Sequence, residues 1–513
     1  MLDNLLLGFE TALTAENLLW CFVGVLLGTV IGVLPGLGST TGVAILIPLT
    51  LTLDPVTALI MLAGIYYGAQ YGGTITSVLI STPGEAATVV TTIDGYQMAR
   101  RGRAGAALSI SAIGSFVAAI VSLALLMALA PPFADFALRF GPPEMLAVMV
   151  LGLATIVSFS GEDRVLGATM AVLGLVIALV GVDTGSGVSR YTFGSVDLLS
   201  GIPFVEVMIG LFAVGEVLHQ VRQGAAEPIR ARFKDLLITR EELRRSRGAI
   251  GRGSVIGFLL GCLPGAGSTL ASFMAYGVER RVSKHGDEFG NGAIEGVAAP
   301  ESANNAAANA NFVPTLALGI PGGGTTAVLL GAFTIYGIQP GPLLFEEQPD
   351  LVWGLLVSFF IGNVLLLILN LPLAPLFAQM LRIPYGYLYP IILVTSFVGA
   401  YAIGNSMTSV WIVLVAGLVG FAMKTYGLPM APLVLGLVLG PLLEKALVQT
   451  SALGDGSLAL LVQRPLALGI LVAAVLFMAG SLWMNRRATA TANEVLAEAR
   501  NDDDHQIPTG AGR

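Results

Sequence analysis

Apolar positions in this chain neither alternate with polar ones nor recur at the helical period; they run together in long blocks. A helix that is apolar all round is buried or lies in lipid, and about 20 such residues cross a hydrocarbon core. The clean blocks predict helices at Ala104–Ala130, Met145–Phe159, Val165–Val180 and Pro203–Leu218. Further along they predict helices at Leu351–Leu369, Tyr387–Tyr401, Thr408–Met423, Pro429–Leu443 and Pro465–Met484. The Gly- and Ser-rich segment Asp183–Gly201 reads as an external loop.

Other apolar blocks are interrupted, and the same interruption occurs twice. GVLPGLGST covers Gly32–Thr40 and GCLPGAGST covers Gly261–Thr269. Proline removes a backbone donor and glycine frees the backbone, so each copy breaks a helix. The arms of the first break, Leu18–Leu34 and Ser39–Leu53, reach about 22–26 Å. Those of the second, Ser254–Leu263 and Ser268–Val278, reach about 15–17 Å. All fall short of a hydrocarbon core of about 30 Å, so they predict two re-entrant helical hairpins. Pro55–Met98 is interrupted at GGTITS (72–77) and STPGEA (81–86), and Gly292–Tyr336 at Pro321-Gly322.

These landmarks repeat in order. Gly32 and Gly261 stand 229 positions apart, Pro83 and Pro321 238, Ala130 and Ala374 244, Pro203 and Pro429 226. The drift is what loop insertions produce. Between the halves, residues 219–253 carry nine Lys and Arg against four acids, which places this segment in the cytoplasm. Five crossings per half is an odd number, so the second half is expected upside down. The expected fold is an all-α polytopic membrane protein of two inverted repeats, each with a re-entrant helical hairpin and about five crossings, plus one C-terminal helix. The divisions are 1–218 (first repeat), 219–253 (basic linker), 254–445 (second repeat), 446–487 (final helix) and 488–513 (cytoplasmic tail), with the N-terminus outside.

Composition agrees: 55% hydrophobic, 12% charged, mean hydropathy +0.81, against about 25% charged in soluble domains. The first twenty residues carry Asp3, Glu10 and Glu16 and no Lys or Arg, unlike a secretory signal. Cys21 and Cys262 lie in apolar stretches, and the three histidines lack zinc spacing. HExxH, GxSxG and GxxxxGK[ST] are missing, so no enzyme, resident metal, cofactor or nucleic-acid partner is expected.

The breaks are the candidate chemistry. A broken backbone in lipid is tolerated where it lines a cavity, and paired breaks in two halves point to a transporter binding site. The half-helix that follows each break opens with free N–H groups and a partial positive charge, suited to a carboxylate or phosphate. The expected solute contacts are Gly36, Gly38, Ser39 and Thr40 at one tip and Gly265, Gly267, Ser268 and Thr269 at the other. Ordinary helix capping is the plainer alternative. In APESANNAAANANF, Glu301, Asn304, Asn305 and Asn309 share about one helix face. Asn304 and Asn305 join the solute set, with helix–helix adhesion as the alternative. Thr325 and Thr326, after the Pro-Gly break, join it too. A carboxylate at the centre of a bilayer costs about 2.5–3.5 kcal/mol, so Glu85 and Glu301, with Asn309, are the ion-coupling candidates. Glu206 reads as structural or subunit-facing, and Asp94 as a solvated end near the cytoplasmic surface.

GVLPGLGS, STPGEAATVVTTIDGYQMARRGRAG, APESANNAAANA and IPGGGTTAVLLGAFTIYGIQPGPLL together resemble the large membrane subunit of tripartite tricarboxylate transporters, the TctA family. The resemblance spans nearly the whole chain up to Arg487. It implies a secondary transporter in a bacterial inner membrane that imports citrate or related small carboxylates, driven by Na⁺ or protons. It also implies a small membrane subunit and a periplasmic solute-binding protein as partners. From another class, a passive anion channel with re-entrant pore loops remains the alternative.

Overall fold

The computed structural model describes residues 2–34, 36–158, 164–183, 186–221, 238–264, 267–380 and 385–479. The fold is essentially all-α, and among the described residues five helices are long and apolar enough to cross a membrane. Helices α1 (Leu2–Ala12), α2 (Ala15–Val33) and α3 (Gly38–Thr50) lead into α4 (Pro55–Ile80). Then come α5 (Thr91–Arg100), α6 (Ala104–Ala137), α7 (Pro142–Ser158) and α8 (Arg164–Ala178). A small hairpin pairs β1 (Gly181–Val182), just ahead of the segment expected to be an external loop, with β2 (Ser189–Arg190) inside that segment. α9 (Phe204–Met208) runs through a π turn into α10 (Gly215–Gln220).

The second half opens with α11 (Arg240–Gly261) and α12 (Gly267–Val282), followed by α13 (Glu295–Ala310), α14 (Phe312–Leu318), α15 (Gly324–Ile335) and the short α16 (Leu344–Glu347). It continues with α17 (Pro349–Met380), α18 (Tyr385–Gly404), α19 (Met407–Thr425), α20 (Met430–Leu453) and α21 (Leu460–Gln463). A final apolar helix, α22, covers Pro465–Ala479.

Two helices form the centre. Every residue of α4 from Thr57 to Leu79 is buried, as is all of α13. Each packs against the first arm of its own hairpin through a ladder of small residues. On α2, a Cβ at Gly24, Gly28 or Gly32 would lie 2.2–2.3 Å from the carbonyl oxygens of Met61, Ile65 and Ala69 on α4. On α11, a Cβ at Gly253, Gly257 or Gly261 would lie 2.3–2.6 Å from those of Ala299, Ala303 and Ala307 on α13. Lipid offers no hydrophobic drive between helices, so backbone approach over small residues supplies the packing.

Three expectations change. The GGTITS stretch does not break α4, because Gly72 and Gly73 accommodate Thr29 of α2 and Glu85 without interrupting the helix. The arms at the breaks are longer than expected: α2 is itself one of the helices long enough to cross a membrane, and α11 begins at Arg240 under a Thr239/Glu242 capping box, so part of the basic segment is helix. Its arginines pair inward, Arg252 with Glu279 at 2.7 Å and Arg245 with Glu295 at 2.9 Å. Asp94 is no solvated end. It is fully buried, and its Oδ1 accepts the backbone N–H groups of Gly290, Gly292 and Ala293 just ahead of α13.

Candidate functional site

The first break leaves α3 with N-terminal amides that have no partner within the helix. Gly38, at φ +62°, turns the chain into that helix. The Ser39 N–H donates to Glu85 Oε2 at 2.6 Å, and Ser39 Oγ donates to Glu85 Oε1 at 2.9 Å. Glu85 comes from the loop between α4 and α5, where a Cβ on Gly84 would meet the Gly32 carbonyl at 2.1 Å. The two breaks of the first half therefore touch. A carboxylate on a helix N-terminus satisfies both the free donors and the helix dipole.

The Pro321-Gly322 break arrives from the second half. Thr325 Oγ1, at the start of α15, lies 2.8 Å from Ser39 Oγ and 2.9 Å from Thr40 Oγ1. Thr326 turns back, its Oγ1 accepting the Gly323 N–H at 2.9 Å, so it caps α15. At the second hairpin, Gly267 opens α12 at φ +64°, and an ideal Cβ on Gly323 would be 3.7 Å from its Cα. Asn311 Nδ2 donates to the Tyr66 hydroxyl at 3.1 Å, and that hydroxyl also faces Gln70 and Ser268. Gln70 Oε1, Ser268 Oγ and Asn311 Oδ1 are buried and make no hydrogen bond among the described residues.

Thus Ser39, Thr40, Glu85 and Thr325 form one cluster, and Gly267, Ser268, Asn311 and Tyr66 an adjoining one. Gly36 lies elsewhere, against Glu216 and Gln220, where a Cβ would clash at 2.0–2.3 Å. Thr269 is exposed, and Gly265 lies outside the described residues. Of the α13 polar set, Glu301 accepts Thr74 Oγ1 at 2.7 Å and Thr91 Oγ1, which ties α13 to α4 and α5. Asn305 Nδ2 donates to Ser115 Oγ at 2.7 Å, and Asn309 Nδ2 to Ser122 Oγ at 2.8 Å, both on α6. Asn304 is fully buried, and neither its Oδ1 nor its Nδ2 has a hydrogen-bond partner among the described residues. Neither Glu85 nor Glu301 has an ion-pair partner among the described residues.

Asn311 and Tyr66 were missing from the expected site. A usable signal existed for Asn311: it stands two helical turns beyond Asn304, on the same face. Tyr66 stands in the sequence only as one of several polar groups in the matching first-half stretch, with Tyr67, Gln70, Thr74 and Thr76, and nothing singles it out because its partner comes from the other half of the chain. A separate cavity of about 550 Å³ is lined by Asp197, Phe204, Glu206, Thr334, Ser406 and Ser409, and holds none of the tip residues. Glu206, 2% exposed, accepts Ser409 Oγ there at 3.2 Å.

Comparison with known proteins gives the chain that builds this polar centre a family. The model of the tripartite tricarboxylate transporter TctA family matches residues 18–435. The chain belongs to that family. The TctA family is a transporter family, so this is the membrane component of a tricarboxylate transporter, and membership implies a small membrane subunit and a solute-binding protein as partners. Family and apolar helices together make it a multi-pass membrane protein. An "Uncharacterized 52.8 kDa protein in TAR-I ttuC' 3'region" of Agrobacterium vitis is 49% identical over 92% of this chain and 94% of its own length. An "Uncharacterized protein in TAR-II ttuC' 3'region" of the same organism is 49% identical over 42% of this chain and 89% of its own length. No solved structure matches.

Proposed function

We propose that this TctA-family chain is the large subunit of a secondary active importer that depends on a binding protein and moves tricarboxylates such as citrate, or related small carboxylates, across the bacterial inner membrane. The observation that carries the reading is the junction of Ser39, Thr40 and Thr325 around a helix N-terminus already holding a carboxylate, that of Glu85. A site that holds one carboxylate without a cationic side chain uses amide dipoles and hydroxyls, which suits an anion that must also leave. In this reading the halves are inverted repeats with re-entrant hairpins, and the hairpins travel with the solute in an elevator-like alternation of access. Glu85, Glu301 and Asn309 serve the coupling Na⁺ or proton.

Counterflow in proteoliposomes tests this against a passive channel. Unlabelled carboxylate inside should accelerate entry of labelled carboxylate, because a carrier returns faster loaded than empty. Entry that ignores internal solute would mark a channel.

A further inference from the structure

The two hairpin tips share one design but differ in what faces them. Gly38–Thr40 and Gly267–Thr269 stand 229 positions apart, and Gly38 and Gly267 share the left-handed conformation at φ 62° and 64°. The loops that cross the tips also correspond, 238 positions apart. Ser81 and Gly319 both end their helices left-handed, at φ 55° and 69°. The Glu85 N–H donates to Thr88 Oγ1, and the Gly323 N–H donates to Thr326 Oγ1. This register puts Gly323 where the first half has Glu85.

At the first tip, the Glu85 carboxylate takes the Ser39 amide and hydroxyl. At the second, the matching residue has no side chain. Ser268 there is 8% exposed, and its Oγ has no close hydrogen-bond partner among the described residues. A buried hydroxyl left unpaired is costly, so it is kept where something arrives to bond it. We infer that the α12 tip is the seat of a carboxylate group of the solute, held by the amides that open α12 and by Ser268 Oγ, in the place that Glu85 fills at the α3 tip. This rests on the reading of the chain as a carboxylate carrier and adds which tip binds and why. Thr325 lies two residues beyond Gly323 and bonds both Ser39 and Thr40, so a solute at the second tip presses on the contact that joins the tips.

Gly323→Glu transplants the intramolecular carboxylate. The position accepts a side chain: φ is −166°, an extended conformation, and an ideal Cβ would lie 3.4 Å from Asn311 Nδ2, an ordinary contact. The full-length chain in nanodiscs is titrated with a panel of C4–C6 di- and tricarboxylates, and thermal protection is read. Gly323→Glu should weaken protection at least about tenfold, as loss of a charge-assisted hydrogen bond would, whereas Gly323→Ala should stay near the parent. Ser268→Ala removes only the loose contact with the Tyr66 hydroxyl, should fold normally, and should weaken protection about tenfold for the same reason. Should Gly323→Glu fail to fold, Ser268→Ala decides. Parent-like protection in the folded variants overturns the seat assignment alone. A parent chain protected by no member of the panel overturns the carrier reading, and the seat with it.

Discussion

The carboxamides of α13 show how far identical side chains diverge. Asn305 and Asn309 spend their NH₂ groups on Ser115 and Ser122 of α6, whereas Asn304 spends none. Interhelical hydrogen bonds in membranes are worth about 0.6 kcal/mol on average and at most about 1.7. Asn305→Ala and Asn309→Ala should therefore lower unfolding stability by about 0.5–2 kcal/mol. Asn304→Ala should leave stability unchanged and raise the half-saturation for solute or cation. A melting series with uptake measured on the same variants separates the two roles; stable, fully active Asn304→Ala would remove Asn304 from the site. Glu301 shows the same division, since its two threonine donors make it a tie between α13, α4 and α5 as well as a coupling candidate.

At the scale of elements, the glycine ladders decide more than the broken tips do. They let α2 lie on α4 and α11 on α13 at backbone contact, which carries each break to the buried centre. Gly28 faces the Ile65 carbonyl, with room for no Cβ, so Gly28→Leu must push α2 away from α4. Overpacking costs about 1–3 kcal/mol or more, so lowered thermal stability and lost uptake are expected together. Parental melting of the Gly28→Leu variant would mean that α2 shifts freely and does not position its tip. Gly251, with open space around it, is the control: Gly251→Ala should be neutral.

For the whole molecule, the correspondence of the halves predicts a topology. If the second repeat is inverted, the α3–α4 turn lies outside and the α12–α13 loop inside. Thr52 and Asp287 are exposed at these two places. With Cys21 and Cys262 replaced by Ser, Thr52→Cys should react with an impermeant maleimide in intact cells, and Asp287→Cys only after permeabilisation. Labelling of both from one side would refute the inversion.

Lipid as solvent, helices as elements, breaks at two tips and a polar stretch in α13 were all legible in the residues, because each depends on local composition and on the backbone physics of Pro and Gly. The spacing of the recurring landmarks was legible as well, and the topology that it predicts is what the labelling experiment tests. What each polar atom touches was not. Asp94, Glu85, Tyr66 and Asn311 all find partners more than forty positions away, and Asp94 even reads as a surface residue until the N–H groups ahead of α13 are seen to converge on it. The one-dimensional order determined where the backbone breaks; only the packing of helices distant in sequence decided which break is filled by a side chain and which keeps an unbonded hydroxyl, because hydrogen-bond satisfaction is a property of neighbours in space.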